Sequence, residues 1–291
     1  MLSVEAICIR AKQASCSLAL LSAVKKNAAL AALADWLDAH QDEILRENKL
    51  DIKDGINSGL SDAMVDRLTL TLDRIKGIAR DVRSVINLPD PVGEEFEEKI
   101  LENGLQAKKQ RIPLGVLAVI YESRPNVTVD VAALAIKTGN AIILRGGKET
   151  IRSNRVLVRG IHEALESTGI DSGCVQFISE PDRKHVEELL KMYQYVDMLI
   201  PRGGAGLRGR AMGGPQRTNG RVTSGRSRRQ DRGAVACLGQ VSVVAAAGAA
   251  GYHLPETQKL LERGRQVGSR LSTCPTGHPS PVPYWCPQIF R

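Results

Sequence analysis

From Gly115 to Pro201 the sequence alternates between two periods, and that alternation restricts the fold more than any other feature. The runs "GVLAVIYES", "NAIILRGG", "GCVQFIS" and "YVDMLIP" are short, apolar and rich in β-branched residues, as buried strands are. Between them, "VTVDVAALAIKTG", "ETIRSNRVLVRGIHEALESTG" and "PDRKHVEELLKMYQ" repeat their apolar residues at three and four, as helices do. Strand and helix in turn predict right-handed βαβ units. The expected fold class is therefore α/β, with a parallel sheet and helices on both of its faces.

Upstream the period is helical throughout, from Val4 to about Asn87. In "NAALAALADWLDAHQDEILREN" the residues Leu30, Leu33, Trp36, Leu37 and Ile44 share one stripe. Ser61 stands before "DAMVDRL" as an N-cap, and Ile75, Ile78, Val82 and Ile86 carry the next stripe. "LPDPVG" ends the helices, because proline cannot continue one. "EKILENGLQAKKQRI" then reads as two short strands around Asn103-Gly104, a strong hairpin dipeptide.

The net charge of +8 suggests nucleic acid until it is divided along the chain. Residues 1–207 hold 27 Lys and Arg against 29 Asp and Glu, whereas residues 208–291 hold 13 against 3. All the basicity belongs to the second part, where 12 of the 13 cations are Arg. Its Gly and Arg content fits binding to phosphates by counterion release, but it lacks the aromatic interleaving that stacks bases, which argues against nucleic acid as a partner. No long run of strong apolar residues occurs, so neither a signal peptide nor a membrane span is expected. The six cysteines include no C-x-x-C pair and suit a reducing cytoplasm. A Cys274, His278, Cys286 metal site matches no familiar zinc spacing, so no metal is expected.

In open α/β sheets, ligands sit beyond the carboxyl ends of the strands. At those ends this chain places "YESRPN", "RGGK" and "PRGG". Glycine lets backbone N–H groups approach an anion, and a following helix N-terminus adds a favourable field. Three such loops on one edge point to a phosphate-bearing cofactor or substrate. Read singly, each is equally a tight turn with a solvated Arg. No G-x-G-x-x-G follows the first strand, so the dinucleotide fingerprint is absent.

"RIPLGVLAVIYESRPNVTVDVAALAIKTGNAIILRGGKETIRSN" and "DMLIPRGGAGL" resemble the γ-glutamyl phosphate reductase (glutamate-5-semialdehyde dehydrogenase) family, within the aldehyde dehydrogenase superfamily. "MVDRLTLTLDRI" and "LPDPVG" fit the same family, and the resemblance covers about residues 3–207. It implies an aldehyde-dehydrogenase-like fold, with N-terminal helices before a nucleotide-binding domain. It also implies a cytoplasmic, NADPH-dependent step of proline biosynthesis with γ-glutamyl phosphate as the small-molecule substrate. In that reaction a cysteine thiolate displaces phosphate to give a thioester, and hydride from NADPH reduces it to the semialdehyde. Carried onto this chain, Arg145, Gly146, Gly147 and Lys148 hold the adenosine ribose and its 2′-phosphate. Arg202, Gly203 and Gly204 lie beside the pyrophosphate, and Glu122, Arg124 or Asn126 orients substrate near the reacting carbon. For Asn126 the alternative is a loop residue bonded to its own backbone.

After Leu207 the family pattern stops. Residues 208–233 contain 6 Gly and 8 Arg, so no stable amphipathic helix is expected after Gly204. "SRLSTCPT" echoes the family's nucleophile segment and makes Cys274 the candidate nucleophile, although Pro275 stands where the family has asparagine. Cys274 read otherwise is an incidental thiol. The family's separate catalytic domain, and with it a family-like homo-oligomer, is not recognisable here. Residues 208–291 are thus expected to be a divergent, disordered tail, with three readings: an unusual enzyme tail, a nucleic-acid-binding segment, or the product of a shifted frame or rearrangement.

Overall fold

The structure is a computed structural model and describes residues 2–180, 182 and 184–202. Gly203, Gly204, Cys274 and all of residues 208–291 lie outside the described residues.

The helical region forms α1 (Val4–Leu18), α2 (Ala23–Ala39), α3 (Gln41–Asn57), α4 (Asp62–Leu68) and α5 (Leu72–Asn87). Ser3, Ser22 and Thr71 cap three of these, each accepting a backbone N–H three residues on. Ser61 stands at the N-cap of α4 as expected, but its hydroxyl makes no cap bond. Its carbonyl instead accepts from the Met64 and Val65 N–H groups at 2.8 and 2.9 Å. The stripe of Leu30, Leu33, Trp36, Leu37 and Ile44 is wholly buried, yet it is divided between α2 and α3. The chain bends at His40, whose ring stacks on Trp36 with centroids 4.2 Å apart.

β1 (Glu95–Ile100) and β2 (Gln106–Gln110) form the expected antiparallel hairpin. Gly104 takes φ +82 in its turn, a conformation open to glycine at little cost. Next come β3 (Val116–Tyr121), α6 (Pro125–Lys137), β4 (Ala141–Arg145), α7 (Ile151–Ser167), β5 (Val175–Phe177), α8 (Lys184–Lys191) and β6 (Met198–Arg202). Four strands make a parallel sheet in the order β5-β4-β3-β6. The chain steps outward from β3 to β5, then returns to pair β6 on the other side of β3. Helices α6 and α7 pack on one another and on the sheet, and α1 lies on β3, β4 and β5 with α8 beside it; the right-handed rule for such crossovers puts these two groups on opposite faces. Helices α2, α3 and α5 form a further layer over α6 and α7.

Every residue of β3 is buried, consistent with its central position. Between α2 and α7, the Trp36 ring lies directly over Gly160, where a Cβ would come within 2.3 Å of it. The indole Nε1 donates to Glu163 at 2.6 Å. Two buried lysines are paired, as buried charge must be. Lys26 meets Asp90 at 2.5 Å, and Lys137 donates to Asn27 Oδ1 and to the Ile86 carbonyl at 2.8 and 2.9 Å. At the amino end of the sheet, Asp197 accepts from the Val116 N–H at 2.8 Å and from Lys12 Nζ at 2.7 Å. Gly115, at φ +118, gives that carboxylate room.

Candidate functional site

The strand order reverses between β3 and β6, and a doubly wound sheet opens a crevice at such a point. The strand ends are level there: Tyr121 pairs with Arg202, and Ile120 with Arg145. A cleft of about 280 Å³ lies beyond the ends of β3 and β6. One wall is the loop after β3, with Glu122, Ser123 and Arg124, and another is Arg202 at the end of β6. Met64 and Arg67 enter from α4.

The electrostatics of the cleft centre on Arg202. Its Nη1 is buried with no hydrogen-bond partner among the described residues. Burial and the neighbouring charge of Arg124 hold its pKa below the ordinary arginine range, and Asp130 opposes them. Asp130 is itself 7% exposed, and burial together with Asp81 pushes its carboxyl up to about 7. The Asn126 amide, donating to Asp130 Oδ2 at 3.1 Å, and the charge of Arg202 pull the other way. Asn126 therefore sits on helix α6, just after Pro125, and not in a loop. Its side chain bonds a carboxylate and not its own backbone.

The loop after β4 lies alongside. Ser123 Oγ donates to Glu149 Oε2 at 2.8 Å and joins the two loops. Beneath them Tyr121, Thr128, Asn154 and Thr150 form a buried side-chain hydrogen-bond chain across α6 and α7. Gly146 and Gly147 have ordinary negative φ, so their role is close approach. A Cβ on Gly146 would reach Asn154 Nδ2 at 2.3 Å, and one on Gly147 would reach Glu149 Oε2 at 2.7 Å. The N-terminus of α7 is not open to an anion, contrary to the helix-field expectation for this loop. Asp51 of α3 already accepts the Arg152 and Ser153 N–H groups at 3.3 and 2.8 Å. The cationic side chains of this loop are exposed Lys148 and half-buried Arg145.

Of the residues expected from the sequence, the structure brings Glu122, Arg124 and Arg202 into one cleft, with Asn126 behind it on Asp130. Arg145 through Lys148 occupy the adjoining loop. Sequence reasoning missed Met64, Arg67, Ser123 and Asp130. For Asp130 one signal was present, an acid inside the apolar run "VTVDVAALAI". The described cysteines offer no activated thiol among those buried. Burial pushes Cys8 up to about 11 and Cys174 up to about 12, the reverse of what a thiolate nucleophile needs. Among the described residues no helix is long and apolar enough to cross a membrane, and no His, Cys, Asp and Glu group could hold a metal ion.

The model of the aldehyde dehydrogenase family matches residues 2–205. The chain belongs to the aldehyde dehydrogenase family. Within the family it is similar to γ-glutamyl phosphate reductase of Psychromonas ingrahamii, with 59% identity over 197 residues, covering 68% of this chain and 48% of that one. To the enzyme of the same name from Escherichia fergusonii it is 57% identical over 203 residues, covering 70% and 49%. The chain thus spans about half the length of the curated relatives it matches. Among solved structures, γ-glutamyl phosphate reductase of Thermotoga maritima aligns with TM-score 0.71 and 38% identity, over 72% of this chain and 51% of that one. The Saccharomyces cerevisiae enzyme aligns with TM-score 0.67 and 32% identity, over 72% and 54%. Residues 2–202 therefore have the α/β aldehyde-dehydrogenase-like fold, with N-terminal helices ahead of a parallel sheet.

Proposed function

We propose that residues 1–207 are the cofactor-binding half of an NADPH-dependent reductase that converts γ-glutamyl 5-phosphate to glutamate-5-semialdehyde in proline biosynthesis. The observation that carries this reading is the meeting of the loops after β3 and β4 with the end of β6 at the switch point, beside an Arg202 nitrogen that is buried with no hydrogen-bond partner among the described residues. The similarity to γ-glutamyl phosphate reductases of other organisms supports the substrate and the reaction.

The residues fit the cofactor. Arg145 and Lys148 stand where a 2′-phosphate needs cations, and the two glycines hold their loop tight against Tyr121 and Ser123. NADPH supplies the hydride when bound. The protein's own groups do the rest. Arg124 and Arg202 hold anionic oxygen at the cleft. An amide nitrogen carries two N–H groups, of which Asp130 takes one from Asn126, and the other serves developing oxyanion charge. Cys274 is the proposed nucleophile, releasing phosphate as its thioester forms. The family match ends at 205, just before the composition change at Arg208, which supports residues 208–291 as a divergent tail.

Titrating the full chain with NADPH and NADH tests the cofactor, and a semialdehyde assay tests the reaction. NADPH is expected to bind more tightly than NADH. Arg145→Gln and Lys148→Gln are expected to remove that preference. Binding of neither nucleotide would overturn the reading. Turnover lost on Cys274→Ala would assign the nucleophile.

A further inference from the structure

The loop after β4 carries an acid among its cations, because Glu149 directly follows Lys148. In dinucleotide sites the two kinds of group serve different ligands. A carboxylate accepts a hydrogen bond from an unphosphorylated ribose 2′-hydroxyl, whereas cations accommodate a 2′-phosphate, which a carboxylate repels. "RGGKE" holds both, so what the loop selects depends on where the Glu149 carboxylate lies.

The structure places that carboxylate on Ser123. The Ser123 hydroxyl, in the loop after β3, donates to Glu149 Oε2 at 2.8 Å, and Ser123 is 9% exposed. Among the described residues neither Glu149 nor Lys148 engages in an ion pair, whereas Arg152, a few residues on, meets Asp54 at 2.6 Å. The acid thus passes over an adjacent cation and takes a neutral hydroxyl from another loop. Lys148 is left exposed.

The backbone on either side of Glu149 is held. Thr150 is fully buried; its Oγ1 accepts from Asn154 Nδ2 at 3.0 Å and donates to the Gly147 carbonyl at 3.3 Å. Asn154 in turn accepts from Thr128 at 2.8 Å. With Gly147 and Thr150 tied together, the carboxylate changes place by rotating its own side chain, and the bond from Ser123 decides which rotamer is kept. Gly147 makes room for that bond. A Cβ there would come within 2.7 Å of Glu149 Oε2 and 3.1 Å of Ser123 Oγ, crowding both partners.

We propose that Ser123 is a positioning residue for cofactor choice: by holding the Glu149 carboxylate it leaves Lys148 free to meet a phosphate, and so favours a 2′-phosphorylated adenine dinucleotide over its unphosphorylated counterpart. The proposal rests on the reading of this loop as the ribose-phosphate site. Released from Ser123, the carboxylate can turn to Lys148, neutralise it and repel the phosphate.

The test is calorimetric titration of the full chain with 2′,5′-ADP and with 5′-AMP, which differ by the 2′-phosphate alone. The unmutated chain is expected to bind 2′,5′-ADP about tenfold or more tightly than 5′-AMP. Ser123→Ala is expected to cut that ratio about fivefold or more, with the affinity for 5′-AMP kept. Adding Glu149→Gln to Ser123→Ala is expected to restore the ratio, because the freed side chain then carries no charge. A loop merely loosened by Ser123→Ala would weaken both nucleotides alike and would not be rescued by removing a charge. That result would overturn the proposal, as would an unchanged ratio. Glu149→Gln alone gives a check that does not depend on Ser123→Ala folding. It is expected to leave the ratio as it is, since Ser123 already withdraws the charge; a severalfold rise would show that the carboxylate acts on the phosphate regardless, and would also overturn the proposal. Binding of neither nucleotide by the unmutated chain would sink the reductase reading and this proposal with it. A preference for 2′,5′-ADP that survives Ser123→Ala would sink the role of Ser123 alone.

Discussion

Asn126 and Asp130 stand one turn apart on α6, and the Asn126 amide donates to the Asp130 carboxyl at 3.1 Å. That carboxyl is buried, lies near Asp81 and Arg202, and is pushed up to about 7. Below about pH 4 it is protonated whether the chain is folded or not. Between about pH 4 and 7 the unfolded chain releases the proton while the folded chain keeps it, so stability falls as pH rises through that window and levels off above it. The full difference is at most about 4 kcal/mol. Urea unfolding at pH 5 and pH 8 should show that Asp130→Asn flattens this fall. An unchanged pH dependence in the variant would remove Asp130 as its source.

Gly160→Ala places two effects in opposition. Alanine favours a helix by about 1 kcal/mol over glycine. The new Cβ would lie 2.3 to 2.6 Å from three atoms of the Trp36 ring, which is stacked on His40 and bonded to Glu163. Overpacking costs about 1–3 kcal/mol, so the variant should be destabilised. Trp36→Leu in the same chain should recover part of the loss in a denaturation series.

Asp197 fastens the amino end of the sheet. Asp197→Ala strips the Val116 N–H and Lys12 of their acceptor, and a loss of about 1–3 kcal/mol is expected. Lys12→Met should cost less than 1 kcal/mol or so, because that pair is about a third exposed on each side. Equal losses for the two would show that the backbone bond contributes nothing.

Thiol chemistry should divide the described cysteines. Cys16 is exposed on α1, while Cys8 and Cys174 are buried with thiols pushed well above neutrality. Brief alkylation of the native chain at neutral pH should label Cys16 and spare the other two until urea is added. Peptide mass spectrometry reads the outcome, and early labelling of Cys174 would contradict the packing around it.

The alternation of strand and helix was legible because a period of two and a period of 3.6 differ over seven or eight residues, and it led directly to β3, β4, β5 and β6. The hairpin at Asn103-Gly104 was legible for a local reason, the left-handed turn. The cleft was legible only in part. Glu122, Arg124 and Arg202 follow strands, where a sheet places its ligands, but Arg67 lies on a seven-residue helix whose nearness depends on Asn48 and Arg74. The glycines after β4 were read as serving an anion. Their neighbours Tyr121, Asn154 and Ser123 supply a packing reason that no local pattern carries. Likewise, nothing near "ETIRSN" reveals that Asp51, a hundred residues earlier, already occupies the helix end.

The placement of β6 also sets a schedule for folding. Its pairing partner β3 begins 81 residues earlier at the Val116–Asp197 bond, and everything between must be synthesised before the two can meet. Contacts that span so much chain form late, since loop closure precedes any gain from them. A nascent chain on the ribosome can therefore assemble β3, β4, β5 and their helices while the cleft has only one side. Arg202 is the last described residue of the sheet to arrive, and with it the cleft gains its second side.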